Sequence, residues 1–498
     1  MIPTSLKEVK VLGWDYIDVI LFTGDAFVDH PSFGTAVIAR WLQKYGYRVA
    51  VVPQPNWRDD LRDFRKLGQP RLYFGVNAGA MDSMVNHYTA SKRLRSDDAY
   101  TPEGRAGQRP DYAVTVYTKI LKEIWPDVPV VIGEIEASLR CFTHYDYWQD
   151  TLKPSILVDS GADWLCYGMG ERPILELTKA IETGRNISDI RKIPQIGFRM
   201  TGRCKLTEAI YLNSFERCLK DKPAFAENFH IIETHANMMH PKVLVEPVDD
   251  GYVQINPPYP PATQEEMDSF WELPFTKLPH PRYKGKHIPA FEMIKFSINT
   301  HRGCFGGCNF CALAFHQGRS VVSRSIQSVV REAELITKMP NFKGYIHDVG
   351  GPTANFRNAS CEKQKKSGMC TKKRCLFPTP CKNLNADHSE YIELLNKIKE
   401  IKGVKKVFVR SGVRYDFALC SPNDKFLKQL ISEHTSGQLK VAPEHCSNNV
   451  LKYMGKPSFE VYKKFSDKFY KITNNYGKEQ YLVPYLMSSH PGSKLEDA

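Results

Sequence analysis

The sequence predicts an α/β protein with two domains, each built from strands that alternate with helices. Short apolar runs bounded by turn residues recur along the first 225 residues, separated by segments with helical apolar spacing. A second series of such units begins near residue 290, and three closely spaced cysteines follow its first strand directly. Alternation of this kind favours largely parallel sheets, with ligands bound beyond the carboxyl ends of the strands.

Length and composition describe an ordinary soluble protein. The chain has 498 residues, enough for two or three domains with substantial cores, and is 42% hydrophobic and 25% charged. No apolar leader follows Met1 and no run approaches 18 apolar residues, so we expect a cytoplasmic protein with no membrane partner. Thirteen cysteines in that compartment favour metal ligation over disulfides. The net charge of +13 is compatible with a nucleic-acid partner, but no other feature of the sequence supports one.

The first domain, residues 1–225, is predicted as a doubly wound, largely parallel sheet. Its strands are predicted at 18–22, 47–52, 72–76, 128–132 and 163–167. Polar groups follow these strands: Asp25, Asp29 and His30, then residues 77–82, then residues 134–138. These positions predict the ligand-binding edge of the domain.

Residues 226–289 are predicted as a connector. Proline-rich stretches at 257–261 and 279–281, with little apolar periodicity, favour loops. One helix is predicted over 263–271, because Thr263 is a suitable N-cap and acidic residues occupy the first turn.

The second domain, residues 290–498, is predicted to contain five strands, at 293–299, 344–349, 404–410, 438–442 and 481–487. Candidate ligand-binding residues follow the second, third and fourth strands: Gly350 and Gly351, then Ser411 and Arg414, then Glu444. We expect them to share one pocket, since the carboxyl ends of parallel strands meet. Further candidates at the strand ends are Arg410, Asp416, Lys440, His445 and His490.

Cys304, Cys308 and Cys311 form a C-x3-C-x2-C motif on the loop after the first of these strands. Three close thiolates suit a cubane iron–sulfur cluster that leaves one iron without a protein ligand. The alternative is a structural zinc site, in which His301 supplies a fourth donor. The position after a strand end favours the cluster, because barrel enzymes keep their chemistry on such loops.

Four further cysteines lie in an insertion at residues 356–385, between the second and third strands: Cys361, Cys370, Cys375 and Cys381. Four soft thiolates in an irregular loop predict a second metal site, for zinc or for an auxiliary iron–sulfur cluster. The alternative is a set of four reduced surface thiols. Interleaved lysines and arginines would offset the negative charge of a four-thiolate site.

Five stretches resemble the YgiQ family of radical S-adenosylmethionine (SAM) proteins. They are residues 23–34, 144–148, 302–308, 348–355 and 442–445. The resemblance implies a cobalamin-binding-like Rossmannoid domain followed by a partial radical SAM β/α barrel of the TIM type. It also implies a [4Fe–4S] cluster on the three-cysteine motif, with Gly350 and Gly351 beside SAM. Reductive cleavage of SAM would then start radical chemistry on a substrate that the resemblance does not identify.

The resemblance sets further expectations about cofactors, partners and chain length. We expect no cobalamin, because Asp29 directly precedes His30 and the pattern D-x-H-x-x-G is not met. The implied electron donor is a protein such as flavodoxin or ferredoxin. A radical SAM methyltransferase is the alternative within this class, and a non-catalytic zinc module contacting nucleic acid is the alternative outside it. Because family members usually continue further, we expect a chain truncated at Ala498.

Overall fold

The computed structural model describes residues 1–204 and 206–498, which form two compact units. The first unit comprises residues 1–236, 240–260 and 273–295, and the second comprises residues 237–239, 261–272 and 296–498. Strands alternate with helices in both units, so the predicted α/β class is confirmed. Within the described residues, no helix is long and apolar enough to cross a membrane.

A nine-stranded sheet forms the centre of the first unit. In spatial order its strands are Ile210–Tyr211, Leu244–Val248, Gly251–Ile255, Ile196–Thr201, Trp164–Cys166, Val130–Gly133, Tyr73–Asn77, Val19–Thr23 and Val49–Pro53. The five strands at the end with Val49–Pro53 are mutually parallel. Pairing becomes antiparallel from Trp164–Cys166 to Leu244–Val248. The doubly wound, largely parallel sheet is therefore confirmed, with an antiparallel extension.

Every residue is buried in the three parallel strands Val19–Thr23, Val49–Pro53 and Tyr73–Asn77. Helices that cover both faces of a parallel sheet produce this continuous burial. The helices of this unit are Leu6–Val11, Gly34–Lys44, Arg62–Arg65, Ser83–His87, Ala113–Ile124, Glu134–Ser138, Ile156–Ser160, Glu171–Glu182, Ile187–Ile190, Phe215–Lys220, Lys222–Ala236 and Pro289–Ile294. Two-stranded pairs join Val28–Asp29 to Leu278–Pro279 and His144–Asp146 to Thr151–Lys153.

The segment predicted as a connector differs from expectation between residues 244 and 255. Strands Leu244–Val248 and Gly251–Ile255 form a hairpin inside the sheet. Their sequence lacks a clear apolar pattern because Glu246 is buried, where it accepts the backbone N–H of Thr143 at 2.9 Å. The predicted helix is present as Gln264–Trp271, and Thr263 forms a capping box with Glu266.

The second unit contains strand in all five predicted regions: Ser297–Asn299, Tyr345–Ile346 with Asp348–Gly350, Lys406–Val407, Gln438–Glu444 and Tyr481–Leu486. Parallel pairs join the first region to the second, the second to the third, and the fourth to the fifth. His301–Arg302 pairs with Val322–Ser323 in the opposite direction. The helices are Ala312–His316, Ile326–Thr337, Glu362–Ser367, Ser389–Lys399, Tyr415–Leu419, Lys425–Gln429, Asn448–Met454 and Phe459–Asn475, in addition to Gln264–Trp271.

Buried charged groups occupy the carboxyl ends of the parallel strands in the first unit, as predicted for Asp25 and Glu134. Arg109 is ion-paired with Asp25 at 2.9 Å and with Asp98 at 3.0 Å. Glu134 adopts a φ of +63°, and neither of its carboxyl oxygens has a hydrogen-bond partner among the described residues. Burial and the nearby charge of Asp25 raise the pKa of Glu134 to about 8, against the opposing effect of Arg109. The Glu134 carboxyl is therefore held largely neutral at neutral pH.

The Glu134 carboxyl lies against the first residue of the helix Gly34–Lys44. A Cβ on Gly34 would collide with its Oε1, so a side chain at this position would displace the Glu134 carboxyl. Asp29 does not join this group, because its carboxylate pairs with Arg40. His30 is buried, and its Nδ1 accepts the backbone N–H of Ser32 at 3.1 Å.

We expect Glu134→Gln to flatten the pH dependence of stability of the first unit. The pKa of Glu134 is raised on folding, from 4.5 to about 8, so its contribution is complete below 4.5 and is lost as pH rises through 8. Complete loss of this contribution lowers the free energy of unfolding by on the order of 5 kcal/mol. Urea denaturation of wild type and variant between pH 5 and 9 measures it.

The exposed Glu123→Gln is the matched control, since it removes a carboxyl from the same unit without touching a buried group. Wild type and Glu123→Gln should lose stability together between pH 5 and 8, whereas Glu134→Gln should not. Equal slopes in all three proteins would contradict the assignment of a buried neutral carboxyl.

Candidate functional site

The three-cysteine loop is anchored at both ends by strand pairing. The backbone N–H of Thr300 donates to the carbonyl of Gly350 at 2.7 Å, directly after the strand Ser297–Asn299. Gly303 has a φ of +86°, and a Cβ there would collide with the carbonyl of Ser320. The chain can therefore close this loop only with glycine at position 303.

Each of the three thiols has a polar neighbour in the fold. The Sγ of Cys304 lies 3.6 Å from the hydroxyl of Thr353, and the Sγ of Cys308 accepts an N–H from Arg414 Nη1 at 3.2 Å. Cys311 precedes the helix Ala312–His316, and the backbone of Leu313 and Ala314 in that helix favours the ionised form of its thiol. Burial raises the pKa of the Cys304 and Cys311 thiols, and these donors oppose that shift.

The loop offers the three soft donors that an iron–sulfur cluster takes, and its fit rests on this donor chemistry and not on a formed metal-binding arrangement of the described residues. Three soft sulfurs lie within electrostatic reach of one another, and a Cβ on Gly306 would lie 2.5 Å from Arg414 Nη1 and 3.4 Å from the Cys304 sulfur. Across residues 1–204 and 206–498, no group of three or more His, Cys, Asp or Glu side chains is arranged so that it could hold a metal ion.

His301, the fourth donor of the zinc alternative, lies against the glycine turn. A Cβ on Gly351 would lie 2.6–2.9 Å from three atoms of its ring, and its Nδ1 shares a hydrogen bond with the hydroxyl of Thr300 at 2.9 Å. The ring is fully buried. His301 therefore shapes the turn at Gly351.

Gly350 and Ser411 meet at the ends of neighbouring strands. A Cβ on Gly350 would collide with the Ser411 hydroxyl, and that hydroxyl donates to the carboxylate of Asp348. The backbone N–H of Ser411 donates to the same carboxylate at 3.0 Å. The turn at residues 350 and 351 is thus packed between Ser411 on one side and His301 on the other.

Arg414 places a buried positive charge at the cysteine loop. Its Nε donates to Asp416 at 2.7 Å, while its Nη1 donates to Cys308. Asn355 fixes the backbone of Arg414, accepting its N–H at 2.8 Å and donating to its carbonyl at 3.2 Å. The guanidinium is therefore held by Asp416 and Cys308, and its Nη2 has no hydrogen-bond partner among the described residues.

Glu444 and Lys456 add two buried charged groups. Glu444 has a φ of +73°, its Oε2 lacks a hydrogen-bond partner among the described residues, and burial raises its pKa. Lys456 donates to the carbonyl of Ala442 at 2.6 Å. Burial lowers the Lys456 pKa, Arg414 lowers it further, and Cys308 opposes both. The charges of Arg414, Lys456, Glu444 and Cys308 therefore act on one another.

Lys456 is the one residue of this group that the sequence analysis missed. It follows the left-handed Gly455, which ends the helix Asn448–Met454, and it does not lie at a strand end. That helix end reaches the cysteine loop, because the backbone N–H of Asn309 donates to the Met454 carbonyl at 3.0 Å. The glycine that ends the helix is the only local signal in the sequence.

The remaining strand-end candidates take other positions. Arg410 and Lys440 are exposed. His445 is buried and accepts the backbone N–H of Ser447 at 2.9 Å. His490 packs edge-on against Phe310 with ring centroids 6.2 Å apart. Of the predicted pocket residues, the structure thus gathers Gly350, Gly351 and Ser411 at one turn, and Arg414, Asp416 and Glu444 around the buried charges.

Comparison with known families covers nearly the whole chain. A profile described as the radical SAM N-terminal region matches residues 1–297, and the radical SAM superfamily profile matches residues 298–483. A UPF0313 protein of Bacteroides thetaiotaomicron is 51% identical over all of this chain and 83% of its own length. One from Porphyromonas gingivalis is 52% identical over all of this chain and 80% of its own.

Two solved structures share the fold. The radical SAM methyltransferase TsrM from Kitasatospora setae, with cobalamin and a [4Fe–4S] cluster bound, has a TM-score of 0.52 at 16% identity, covering 97% of this chain and 71% of that one. The cobalamin-dependent SAM radical enzyme OxsB, with aqua-cobalamin bound, has a TM-score of 0.51 at 12% identity, covering 95% of this chain and 49% of that one.

These structures correct the expectation about cobalamin. We predicted its absence from a missing D-x-H-x-x-G pattern, yet this fold is the fold of radical SAM enzymes that carry cobalamin. The prediction that cobalamin is unlikely is therefore wrong, because one short motif does not decide what such a fold can bind.

These matches are consistent with the parallel strands and with the resemblance to the YgiQ family. They contradict the alternative that the chain is a non-catalytic zinc-binding module. The chain belongs to the UPF0313 family of radical SAM proteins, and it is an enzyme that cleaves SAM reductively to start radical chemistry.

Proposed function

We propose that Cys304, Cys308 and Cys311 are the ligands of the [4Fe–4S] cluster and that SAM binds beside Gly350 and Gly351. The hydrogen bond from Arg414 to Cys308 carries this proposal, because it brings the end of the third strand region onto the loop after the first. When bound, the cluster supplies one electron for cleavage of SAM. The protein residues bind and orient the reactants.

Arg414 and Lys456 provide positive charge at a site that binds thiolates. An N–H donated to a ligating sulfur raises the reduction potential of a cluster, because it stabilises the added electron. Asp416 holds the Arg414 guanidinium in the orientation that makes this hydrogen bond. Replacing Arg414 by a neutral residue would leave Asp416 buried without its partner, so the pair works as a unit.

We propose that Glu444 contacts hydroxyl or ammonium groups of SAM or of the substrate. A buried carboxyl oxygen without a protein partner is costly and is usually satisfied by a ligand or water. The missing side chains of Gly350 and Gly351 let Ser411 and His301 pack against the turn beside which SAM is proposed to bind, and Ser411 supports this turn through Asp348.

We also propose the fold of the second unit, the location of the enzyme and its electron donor. Parallel strand pairs joined through helices support a β/α barrel of the TIM type for the second unit. Thirteen free cysteines support the reducing cytoplasm as its location. A low-potential one-electron donor of the flavodoxin or ferredoxin kind is required, because no residue of the chain can supply the electron.

We expect Cys304→Ala to abolish formation of 5′-deoxyadenosine from SAM under reducing anaerobic conditions, by at least a hundredfold. Loss of one of three cluster ligands removes the site of electron transfer. The matched control is Cys446→Ala, which removes an exposed thiol of the same unit and should retain wild-type iron and yield. Wild-type yield from Cys304→Ala would refute the ligand assignment.

We expect Gly351→Ala to weaken SAM binding at least tenfold while the iron content stays at the wild-type level. The added methyl group would meet the buried His301 ring at 2.6–2.9 Å and displace the turn. Gly412→Ala is the control, since a Cβ there meets nothing within 4 Å. Equilibrium dialysis with labelled SAM measures the affinity, and equal affinities in both variants would contradict the proposed position of SAM.

A second candidate, cobalamin-dependent methyl transfer, is favoured by the fold shared with TsrM and OxsB. The loop after Val19–Thr23 does not fit an axial histidine, because His30 is buried with its Nδ1 bonded to Ser32. The candidate therefore predicts one corrinoid per chain, bound equally by wild type and His30→Ala. Protein purified anaerobically from cells supplied with cobalamin tests it by absorbance, and corrinoid-free protein would exclude it.

A further inference from the structure

The insertion at residues 356–385 concentrates positive charge at the surface of the second unit. It carries eight lysines and arginines against one carboxylate, Glu362, so 30 of the 498 residues hold a net charge of +7 out of +13. All six of its lysines are exposed: Lys363, Lys365, Lys366, Lys372, Lys373 and Lys382. Its four cysteines are only partly exposed, and no three of them are arranged to hold a metal ion within the described residues. What the insertion presents to solvent is therefore a basic surface.

Arg374 fixes this basic surface to the three-cysteine loop. Its guanidinium donates to the carbonyl of Gly307 and to the side-chain carbonyl of Asn309. The same guanidinium lies against Gly455, where a Cβ would collide with its Nη1. Two exposed lysines directly precede Arg374 in the sequence, so they lie within two residues of the contact with the loop.

The three-cysteine loop is open to solvent at Asn309. This residue lies between Cys308 and Cys311 and is exposed, and every residue of the following helix Ala312–His316 is at least partly exposed. Consecutive Cα atoms are about 3.8 Å apart, so a molecule that touches Asn309 comes within one residue of Cys308. The loop therefore has an outer face to which an electron carrier has access.

The helix Asn448–Met454 adds an exposed aromatic ring and a further lysine to this face. The side-chain amide of Asn309 donates to the carbonyl of Tyr453, and Tyr453 is 52% exposed. The neighbouring Lys452 is exposed as well, and the helix contains no acidic residue. The surface at the loop thus combines an aromatic ring with lysines from two segments of the chain.

We propose that a small acidic one-electron carrier protein docks on the exposed side chains around Asn309: Lys372, Lys373, Lys452 and Tyr453. The proposal rests on the proposed function of the three-cysteine loop, because the electron for cleavage of SAM has to come from outside the chain. The reduced carrier gives up one electron and is oxidised. That electron passes to the cluster held by the loop, and no atom is transferred.

The size and charge of this surface fit a transient protein partner. Complexes between electron-transfer proteins bury less than about 1,200 Å² in total, so a few lysines around one aromatic ring are enough for contact. Complementary charge on the two proteins raises the rate of encounter. The insertion extends the positive potential beyond the contact through three more exposed lysines: Lys363, Lys366 and Lys382.

Nucleic acid is the other class of partner that a basic surface attracts. Proteins that bind single strands stack successive bases on several aromatic side chains, whereas the proposed docking surface contains a single ring, that of Tyr453. The position of the surface at the exposed Asn309, between two of the proposed cluster ligands, also favours an electron carrier.

The test is the affinity of the holoenzyme for flavodoxin, measured at low ionic strength by fluorescence anisotropy of labelled oxidised flavodoxin. We expect Lys372→Glu with Lys373→Glu to weaken binding about tenfold. The matched control is Lys402→Glu with Lys405→Glu, which changes the net charge equally and should bind like wild type. These two exposed lysines precede the strand Lys406–Val407, at its amino end, whereas the three-cysteine loop follows the carboxyl end of a parallel strand. Iron content at the wild-type level in both variants shows that the loop is intact.

Formation of 5′-deoxyadenosine separates this proposal from the proposed function. Dithionite reduces the enzyme without docking, so absence of product from wild type with dithionite would overturn the proposed function alone. With reduced flavodoxin as donor, Lys372→Glu with Lys373→Glu should raise the KM for flavodoxin about tenfold.

Three results would overturn the docking surface. One is equal flavodoxin affinity in wild type, variant and control. Another is a wild-type affinity that does not fall with rising salt, a measurement that requires no variant. The third is loss of binding to labelled RNA in Lys372→Glu with Lys373→Glu while flavodoxin binding is unchanged, which would assign the surface to nucleic acid.

Discussion

The buried Arg414 guanidinium is the constraint on which the candidate site depends. It is held between the Cys308 sulfur and the Asp416 carboxylate, so it must be matched by negative charge on both sides. Breaking a buried pair of this kind costs about 3–5 kcal/mol, because one charge is left without compensation. A side chain at Gly306 would displace the guanidinium, and Asn355 holds the backbone of Arg414.

The same principle applies to the thiols of the three-cysteine loop. A cation buried near thiols lowers the cost of ionising them, which metal ligation requires. Arg414 serves the three-cysteine loop in this way through its hydrogen bond to Cys308, and the Arg319 guanidinium lies against Gly307 of the same loop. Arg374 joins the insertion at residues 356–385 to this loop through the Gly307 carbonyl. The insertion is thus part of the environment of the proposed cluster.

The strand ends of the first unit carry a different arrangement of buried charged groups. Arg109 is matched by two carboxylates, whereas Glu134 is buried without a hydrogen-bond partner among the described residues and is kept neutral by its raised pKa. Its φ of +63° and its contact with Gly34 show that the backbone is shaped to place this carboxyl. The edge where such a sheet binds ligands therefore carries one carboxyl, that of Glu134, which burial holds largely protonated at neutral pH.

The sequence by itself determined the α/β class, all five strand regions of the second unit and the cysteines, because apolar periodicity and thiol spacing are local. Only the tertiary structure shows the hairpin at residues 244–255, because the buried Glu246 is satisfied by the backbone N–H of Thr143, which lies 103 residues away in the sequence. The tertiary structure also places Lys456 within electrostatic range of Arg414 and leaves the side chains of Arg410 and Lys440 exposed to solvent. Which buried charges meet depends on how distant elements pack, and no local pattern records that.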